Sequence, residues 1–526
     1  MKRRFGVAVT CFVLAVSLLA GCASSGTSGK TEPSGGGAPP PAAKQERGEI
    51  RIAMQYDLGN LDPQVLTSVT DKQMTVNLYN GLVRYKLGTV EVEPDLAEKW
   101  DRNNAGTEWT FYLRKGVNFH RGYGEVKASD VKFTFDRLLD PALKSPNAAL
   151  LKGLKTEVVN DHTVKFTLAK ADAAFLDKLA NSFSMIVSEK AVKEKGDKFS
   201  QNPIGTGPYM FDKWSPQQET VYVANDEYFR GKPGLARVVY VPIPDATTMY
   251  NAFEAGDVDL MQVTNPDKLA QYKGNPDLAI NQTPGLITRF MGMNSKIKPF
   301  DDKRVRLAVI HAINKPFILE HALKGISTPA KAILAPAVMH SEQNVTQYAY
   351  DPAKAKQLLK EAGYADGFST TFYVPNIDRF TVPATVIQEN LAQVGIKAEI
   401  KVMETQAFLA ALKAPEGLPM FTLSRGQDAT PDRVLYTWHH KSGIPANNWA
   451  NIDIPEVNEW LDAASKTVDE NVRKDLFSKV QKRIVDEAFY FYLDHENHIY
   501  ALNKRVKGFV GDPQRSIRLD NVTVGK

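Results

Sequence analysis

Two histidine-bearing stretches are the first places where this sequence could carry chemistry. His495-Glu496-Asn497-His498 sets two imidazoles three residues apart around a carboxylate, and His439-His440 sets two side by side. Imidazole and carboxylate are the common ligands of zinc and the common acids and bases of hydrolysis. The spacing favours neither use. A zinc helix carries histidines at i and i+4 with a glutamate between them. Residues 495–498 instead follow a strand-like run, and neighbours such as 439 and 440 point to opposite sides of an extended chain. No third or fourth metal ligand can be named for either pair. The carboxylate pairs Asp301-Asp302 and Asp257/Asp259 show no sign of sharing a pocket that would raise a pKa. Asp301 and Asp302 read as charges at the start of a helix, where its dipole favours them. No G-x-S-x-G elbow is present. The expectation is a protein that is not an enzyme and holds no metal or other cofactor.

The one residue with a definite covalent fate is Cys22. Lys2, Arg3 and Arg4 precede an apolar run from Phe5 to Ala20, which ends in Leu19-Ala20-Gly21-Cys22. A charged start, a short apolar run and small residues read as a signal peptide. With cysteine directly after Ala-Gly, residues 1–21 resemble a bacterial lipoprotein signal, in which the thiol of Cys22 is acylated and the chain is cut before it. Residues 22–48 then form the lipidated end and a tether. Ser, Gly, Pro and Ala dominate Ala23 to Arg47, which is too poor in large apolar side chains to build a core. No later segment is apolar enough to span a bilayer. The expected location is outside the cytoplasm, lipid-anchored to the outer face of the cell membrane. Cys11 goes with the signal, so the folded body has no free thiol and no disulfide.

The formal charge of +5 falls to +2 once the three signal cations are removed. A nearly neutral body gives no sign of nucleic-acid binding. The roughly 480 residues after the tether exceed what one core serves, so two or three domains are expected. Glu49 to Met54, Glu108 to Arg114 and Thr163 to Leu168 alternate like strands. Thr70 to Tyr85 reads as a helix running into a short strand, and Ser129 as the N-cap of another helix. Pro203 to Tyr209 is a dense Gly/Pro segment suited to returning the chain between domains, without the Gly-Lys-Ser/Thr of a phosphate loop. From Lys303 onward helices and strands alternate. Pro352 to Ala362 is a helix ending at Gly363, Phe368 to Val374 a strand, Ala384 to Val394 a helix stopped by Gly395, and Lys397 to Val402 a strand. That rhythm argues for an α/β lobe.

Several stretches, in order over residues 49 to 524, resemble one family. They include Asn77-Leu-Tyr-Asn-Gly-Leu-Val83, Pro94-Asp-Leu-Ala-Glu-Lys-Trp100, Trp109-Thr-Phe-Tyr-Leu-Arg-Lys-Gly-Val-Asn-Phe-His120 and Asn202-Pro-Ile-Gly-Thr-Gly-Pro-Tyr209. Phe253-Glu-Ala-Gly-Asp-Val-Asp259, Pro299-Phe-Asp-Asp-Lys-Arg-Val-Arg306, the stretch from Tyr350 to Tyr364 and Lys507-Gly-Phe509 continue it. The chain resembles the solute-binding proteins of peptide/nickel-type ABC importers, most of all the dipeptide-binding members. The resemblance implies an α/β, three-domain periplasmic-binding-protein-like fold: two lobes joined by a hinge, with an extra inserted domain. Domain I would comprise 49–85, 207–290 and 480–526, domain II 86–206, and domain III 291–479. Ligand would sit between domains I and III, and hinge closure would bury it.

The same resemblance implies the ligand's partners. Peptide-binding members hold the α-ammonium with an aspartate in a Gly-Asp segment before Asp-Pro-Asp. Here the segment is Ser424-Arg-Gly-Gln-Asp-Ala-Thr-Pro-Asp432, with Gln427 at the aspartate's place and Asp428 beside it. Either could face the ligand, although neighbours on an extended segment point opposite ways. Arg379 falls in the loop where dipeptide binders place an arginine for the ligand carboxylate; it reads equally as a surface arginine paired with Asp378. Arg425, and Tyr436 and Trp438 further along the same loop, are candidates to line the site or to pack in the core, and Tyr56 joins them. The implied function is capture of a short peptide or peptide-like solute by a monomer that hands it to ABC permease subunits. The other readings are a ligand-sensing lipoprotein without a transport role, and an exported metallohydrolase using His439, His440 or His495.

Overall fold

The computed structural model describes residues 47–525. The signal, Cys22 and most of the tether lie outside the described residues. Among those described, no helix is long and apolar enough to cross a membrane.

The alternating run Glu49–Met54 forms a strand whose Ile50 and Ile52 are fully buried. It pairs in parallel with Arg237–Pro242, which continues antiparallel to Glu219–Ala224 and Tyr209–Ser215. On its other side Glu49–Met54 meets Leu260–Gln262. These strands form one half of an eleven-stranded sheet. In the other half Phe368–Pro375 runs parallel to both Ile396–Met403 and Met420–Gly426. Helix Asp378–Ala392 makes the crossover between the first two of these strands, as a parallel pair requires. The mixed α/β architecture expected from the sequence is therefore present.

Two long antiparallel strands, Leu278–Met293 and Tyr490–Asn503, run through both halves. Leu278 to Pro284 pairs with Asn497 to Asn503 in the first half, and Thr288 to Gly292 pairs with Tyr490 to His495 in the second. Register breaks between Pro284 and Thr288. Gly285 lies in that break, where an added Cβ would come within 2.6 Å of His498 Nε2. A side chain has no room there, and the backbone can bend where the ladder is interrupted.

Residues 97–167 build a separate four-stranded antiparallel sheet. Phe111, Phe135, Phe166 and Phe175 meet edge to face beneath it. This segment shares one continuous core with the first half of the large sheet. A second core, around Phe290, Phe421, Trp438 and Trp449, serves the other half and takes in Tyr85 and Val90.

Several local expectations shift. The helix begins at Ala128 rather than after an N-cap at Ser129, because the Asp130 carboxylate reaches back to the Lys127 N–H at 3.0 Å. The helix expected from Thr70 covers only Val69–Thr75, capped by Ser68. Gly363 does follow its helix in the left-handed region, φ 88°. The helix expected to start at Ala384 starts at Asp378 and runs through Pro383. Proline lacks the N–H that would bond the carbonyl four residues back, that of Arg379. The Arg289 guanidinium donates to that carbonyl instead, so the extra turns persist.

Candidate functional site

A cleft lies between the two halves of the large sheet. One chamber of about 400 Å³ is walled by the first half, including Gln55, Tyr56, Gln262, Tyr500 and Arg515. A second, of about 590 Å³, has Tyr250 and Thr264 on one side and Ile326, Arg379 and Val382 on the other. The two share Ala246, Tyr250 and Thr264, so they are adjoining chambers. Their size suits a small organic solute.

Tyr56 lines the first chamber and Arg379 the second. Tyr56 follows the first strand and is 60% exposed. Arg379 sits in the first turn of a helix rather than in a loop, since the helix starts five residues before Pro383. Its guanidinium lies over the Phe380 ring at 5.1 Å, and its nearest carboxylate, Glu496, is 3.8 Å away. It pairs with this residue of a long crossing strand, not with Asp378. A half-exposed contact of that length is weak and leaves the fork available.

The segment 424–432 lies elsewhere. Gln427 is buried and its amide is fully used. Its Oε1 accepts from the Ala335 N–H at 2.9 Å, and its Nε2 donates to Thr288 Oγ1 at 2.7 Å and to the Ile333 carbonyl at 2.5 Å. Asp428 points the other way, as neighbours on an extended segment do. It takes a bidentate pair from Arg433 at 2.6 and 2.9 Å. Tyr436 and Trp438 stand on helix Asp432–His439, not in a loop. Tyr436 donates to Asp462 at 2.8 Å, while Trp438 is buried. Arg425 is clamped between the indoles of Trp438 and Trp449, at 4.4 and 4.3 Å, with Asn447 Oδ1 at 3.3 Å. Desolvation first, and the nearby Arg433 second, pull its pKa down to about 10, so it remains a cation at neutral pH.

Asp428 and Tyr436 line a different space of about 680 Å³, between the segment 146–183 and residues 428–477. Asp177 also faces it. Burial, above all, raises the Asp177 carboxyl to about 7, against a hydrogen bond from Tyr85.

The histidines serve the interior. His439 ends a helix instead of lying on an extended chain, and its Nδ1 meets the Leu435 carbonyl at 3.1 Å. His440 stacks on Tyr436 with ring centres 4.5 Å apart. His495 Nδ1 meets Thr288 Oγ1 at 2.8 Å. Burial lowers His439 and His495 to about 4, which keeps both neutral. Among the described residues no three His, Cys, Asp or Glu side chains are placed to hold a metal ion. The sequence reading missed Arg515, Gln55, Gln262 and Tyr250. They come from three distant stretches, and nothing in their local sequence marks them.

A two-lobed α/β scaffold with a solute-sized cleft across its crossing strands defines a binding protein. The chain belongs to the bacterial extracellular solute-binding proteins, family 5, whose middle-region model matches residues 91–446. This is a family of solute-binding proteins rather than enzymes. The heme-binding protein A of Haemophilus influenzae is 33% identical over 467 residues, covering 83% of this chain and 85% of that protein. The dipeptide-binding protein of Escherichia coli K12 is 32% identical over 492 residues, covering 88% and 92%. The ABC transporter-associated periplasmic binding protein DppA from Helicobacter pylori, solved in complex with the peptide STSA, superposes with a TM-score of 0.71 at 31% identity, covering 92% of this chain and 99% of that one.

Proposed function

We propose that this protein captures a short peptide or peptide-like solute in the cleft between its lobes and delivers it to the permease of an ABC importer. The observation that carries the reading is the pair of adjoining chambers lined by Tyr56, Tyr250, Thr264 and Arg379, with the Arg379 guanidinium engaged only by a 3.8 Å contact to Glu496 and so available to a ligand carboxylate. The dipeptide- and peptide-binding relatives support the solute class, and the ABC-transporter association of the Helicobacter protein supports the destination. In this reading the molecule acts as a monomer, anchored outside the cytoplasm through an acylated Cys22. Domain I comprises 49–85, 207–290 and 480–526, domain II 86–206, and domain III 291–479.

Mature protein titrated calorimetrically with di- and tripeptides should bind at least one group of them. Ligand that binds only the native state must also raise Tm. Arg379→Gln should weaken binding of free-acid peptides by roughly tenfold or more, and that of C-terminally amidated ones far less. A panel of peptides, amino acids and peptide-like solutes without a single binder would defeat the reading.

A further inference from the structure

Arg515 stands out among the cations of the C-terminal stretch. Arg505 is paired with Asp259 at 2.6 Å, and Arg518 with Asp520 at 2.8 Å. Among the described residues no carboxylate oxygen lies within 4.0 Å of the Arg515 guanidinium. Its Nε is buried without a hydrogen-bond partner. The backbone holds it in place: the Arg515 N–H donates to the Asp512 carbonyl at 2.9 Å, and its own carbonyl accepts from Gln73 Nε2, also at 2.9 Å. The residue adopts φ 72°, in the left-handed region that favours glycine. A bulky side chain there costs on the order of 1 kcal/mol. Among the described residues no ion pair offsets that cost.

Arg515 lines the 400 Å³ chamber. Among the described residues Arg515 is the single charged one lining it; the other polar groups are amides and hydroxyls, such as Gln55, Gln73, Gln262 and Thr264. A chamber with one cation, neutral hydrogen-bonding groups and no carboxylate suits an anion. The planar fork suits a carboxylate in particular, which it can hold by two parallel bonds. The chamber adjoins the one lined by Arg379, and Ala246, Tyr250 and Thr264 belong to the walls of both.

We propose that Arg515 receives a second carboxylate of the solute, so that the cleft selects peptides bearing an acidic side chain, with the terminal carboxylate at Arg379. This rests on the peptide reading above and names the class of peptide. Tyr56, on the same wall, offers an aromatic face to the aliphatic part of that side chain.

The test is calorimetric titration of the mature protein with pairs that differ only in charge, Ala-Glu against Ala-Gln and Ala-Asp against Ala-Asn. Charge-assisted bonds of this kind correspond to roughly a tenfold to hundredfold preference for the acidic member. Arg515→Gln should abolish the preference, so that the acidic and neutral members of each pair bind within about threefold of each other. Arg515→Gly guards against a folding defect. It removes the guanidinium and relieves the positive φ, so it should raise Tm and lose the same preference. A preference that survives in both variants, or a wild type that binds acidic and neutral members equally, overturns the assignment and leaves peptide binding intact. Failure of every peptide, acidic or neutral, defeats the peptide reading and this assignment with it.

Discussion

Arg289 and Arg515 both sit close to the cleft, and their surroundings differ in kind. Arg289, on the long strand Leu278–Met293, is 2% exposed and is paired with a carboxylate. Its Nη2 donates to Asp494 Oδ2 at 3.0 Å, its Nη1 donates to the Arg379 carbonyl, and its Nε lies 2.9 Å from Asp494 Oδ1 in an ion contact without hydrogen-bond alignment. Desolvation still outweighs Arg289 at Asp494 and raises that carboxyl above its usual range. Arg515 has backbone anchors and an open chamber. A cation saturated by its own protein is part of the scaffold. One anchored through its backbone, with no carboxylate among the described residues beside its guanidinium, is available for the ligand role proposed above.

The sharpest way to break this contrast is to give Arg289 the condition of Arg515. Asp494→Asn leaves a buried guanidinium without its counter-charge and should cost about 3–5 kcal/mol in urea unfolding. A loss below about 1 kcal/mol would show that Arg289 does not depend on its pair.

Asp177 tests the opposite charge. Its carboxyl is raised to about 7, mainly by burial, so in the folded protein it stays protonated to higher pH than in the unfolded chain. The native state then binds the extra proton, and the group's contribution to stability falls as pH rises from about 4 to 7. Asp177→Asn should remove that fall, with an advantage over wild type that grows across this window up to a ceiling of about 4 kcal/mol. Unfolding curves at pH 4 and pH 8 measure it, and a constant difference between them would refute it.

Gln427 stands on the saturated side. Gln427→Glu keeps its shape but removes the bonds given to Thr288 and the Ile333 carbonyl. The expected loss is roughly 1–3 kcal/mol, read by chemical denaturation. The smallest effect should come from Asp428→Asn, which breaks a half-exposed pair with Arg433. A change of less than about 1 kcal/mol is expected, with peptide affinity unaltered. A collapse of binding in that variant would move the ligand site to the space beside residues 146–183.

The fold was legible because its signals are local or repeated. Alternation marked Glu49–Met54 and Glu108–Leu113, and the helix–glycine–strand rhythm after Lys303 marked the parallel lobe. Of the residues expected at the ligand, Arg379 and Tyr56 line the two adjoining chambers, and Arg425, Gln427, Asp428, Tyr436 and Trp438 do not. Arg425 and Gln427 show the limit. Nothing in Ser-Arg-Gly-Gln-Asp reveals that two tryptophans, one of them 24 residues away, clamp the arginine, or that Thr288, Ile333 and Ala335 consume the amide. Pro383 lies inside the helix that the sequence reading began at Ala384. Proline removes one helical bond, and here the Arg289 guanidinium serves the carbonyl left over.

That last contact ties together two positions far apart in the chain. A lineage that replaced Pro383 with an ordinary residue would regain the helical bond to the Arg379 carbonyl and release Arg289 from that task. A lineage that lost Arg289 first would strand the carbonyl and, with it, the turn that presents Arg379 to the cleft. Substitutions at 289 and 383 are therefore expected to arrive in a fixed order during descent, the proline yielding before the arginine.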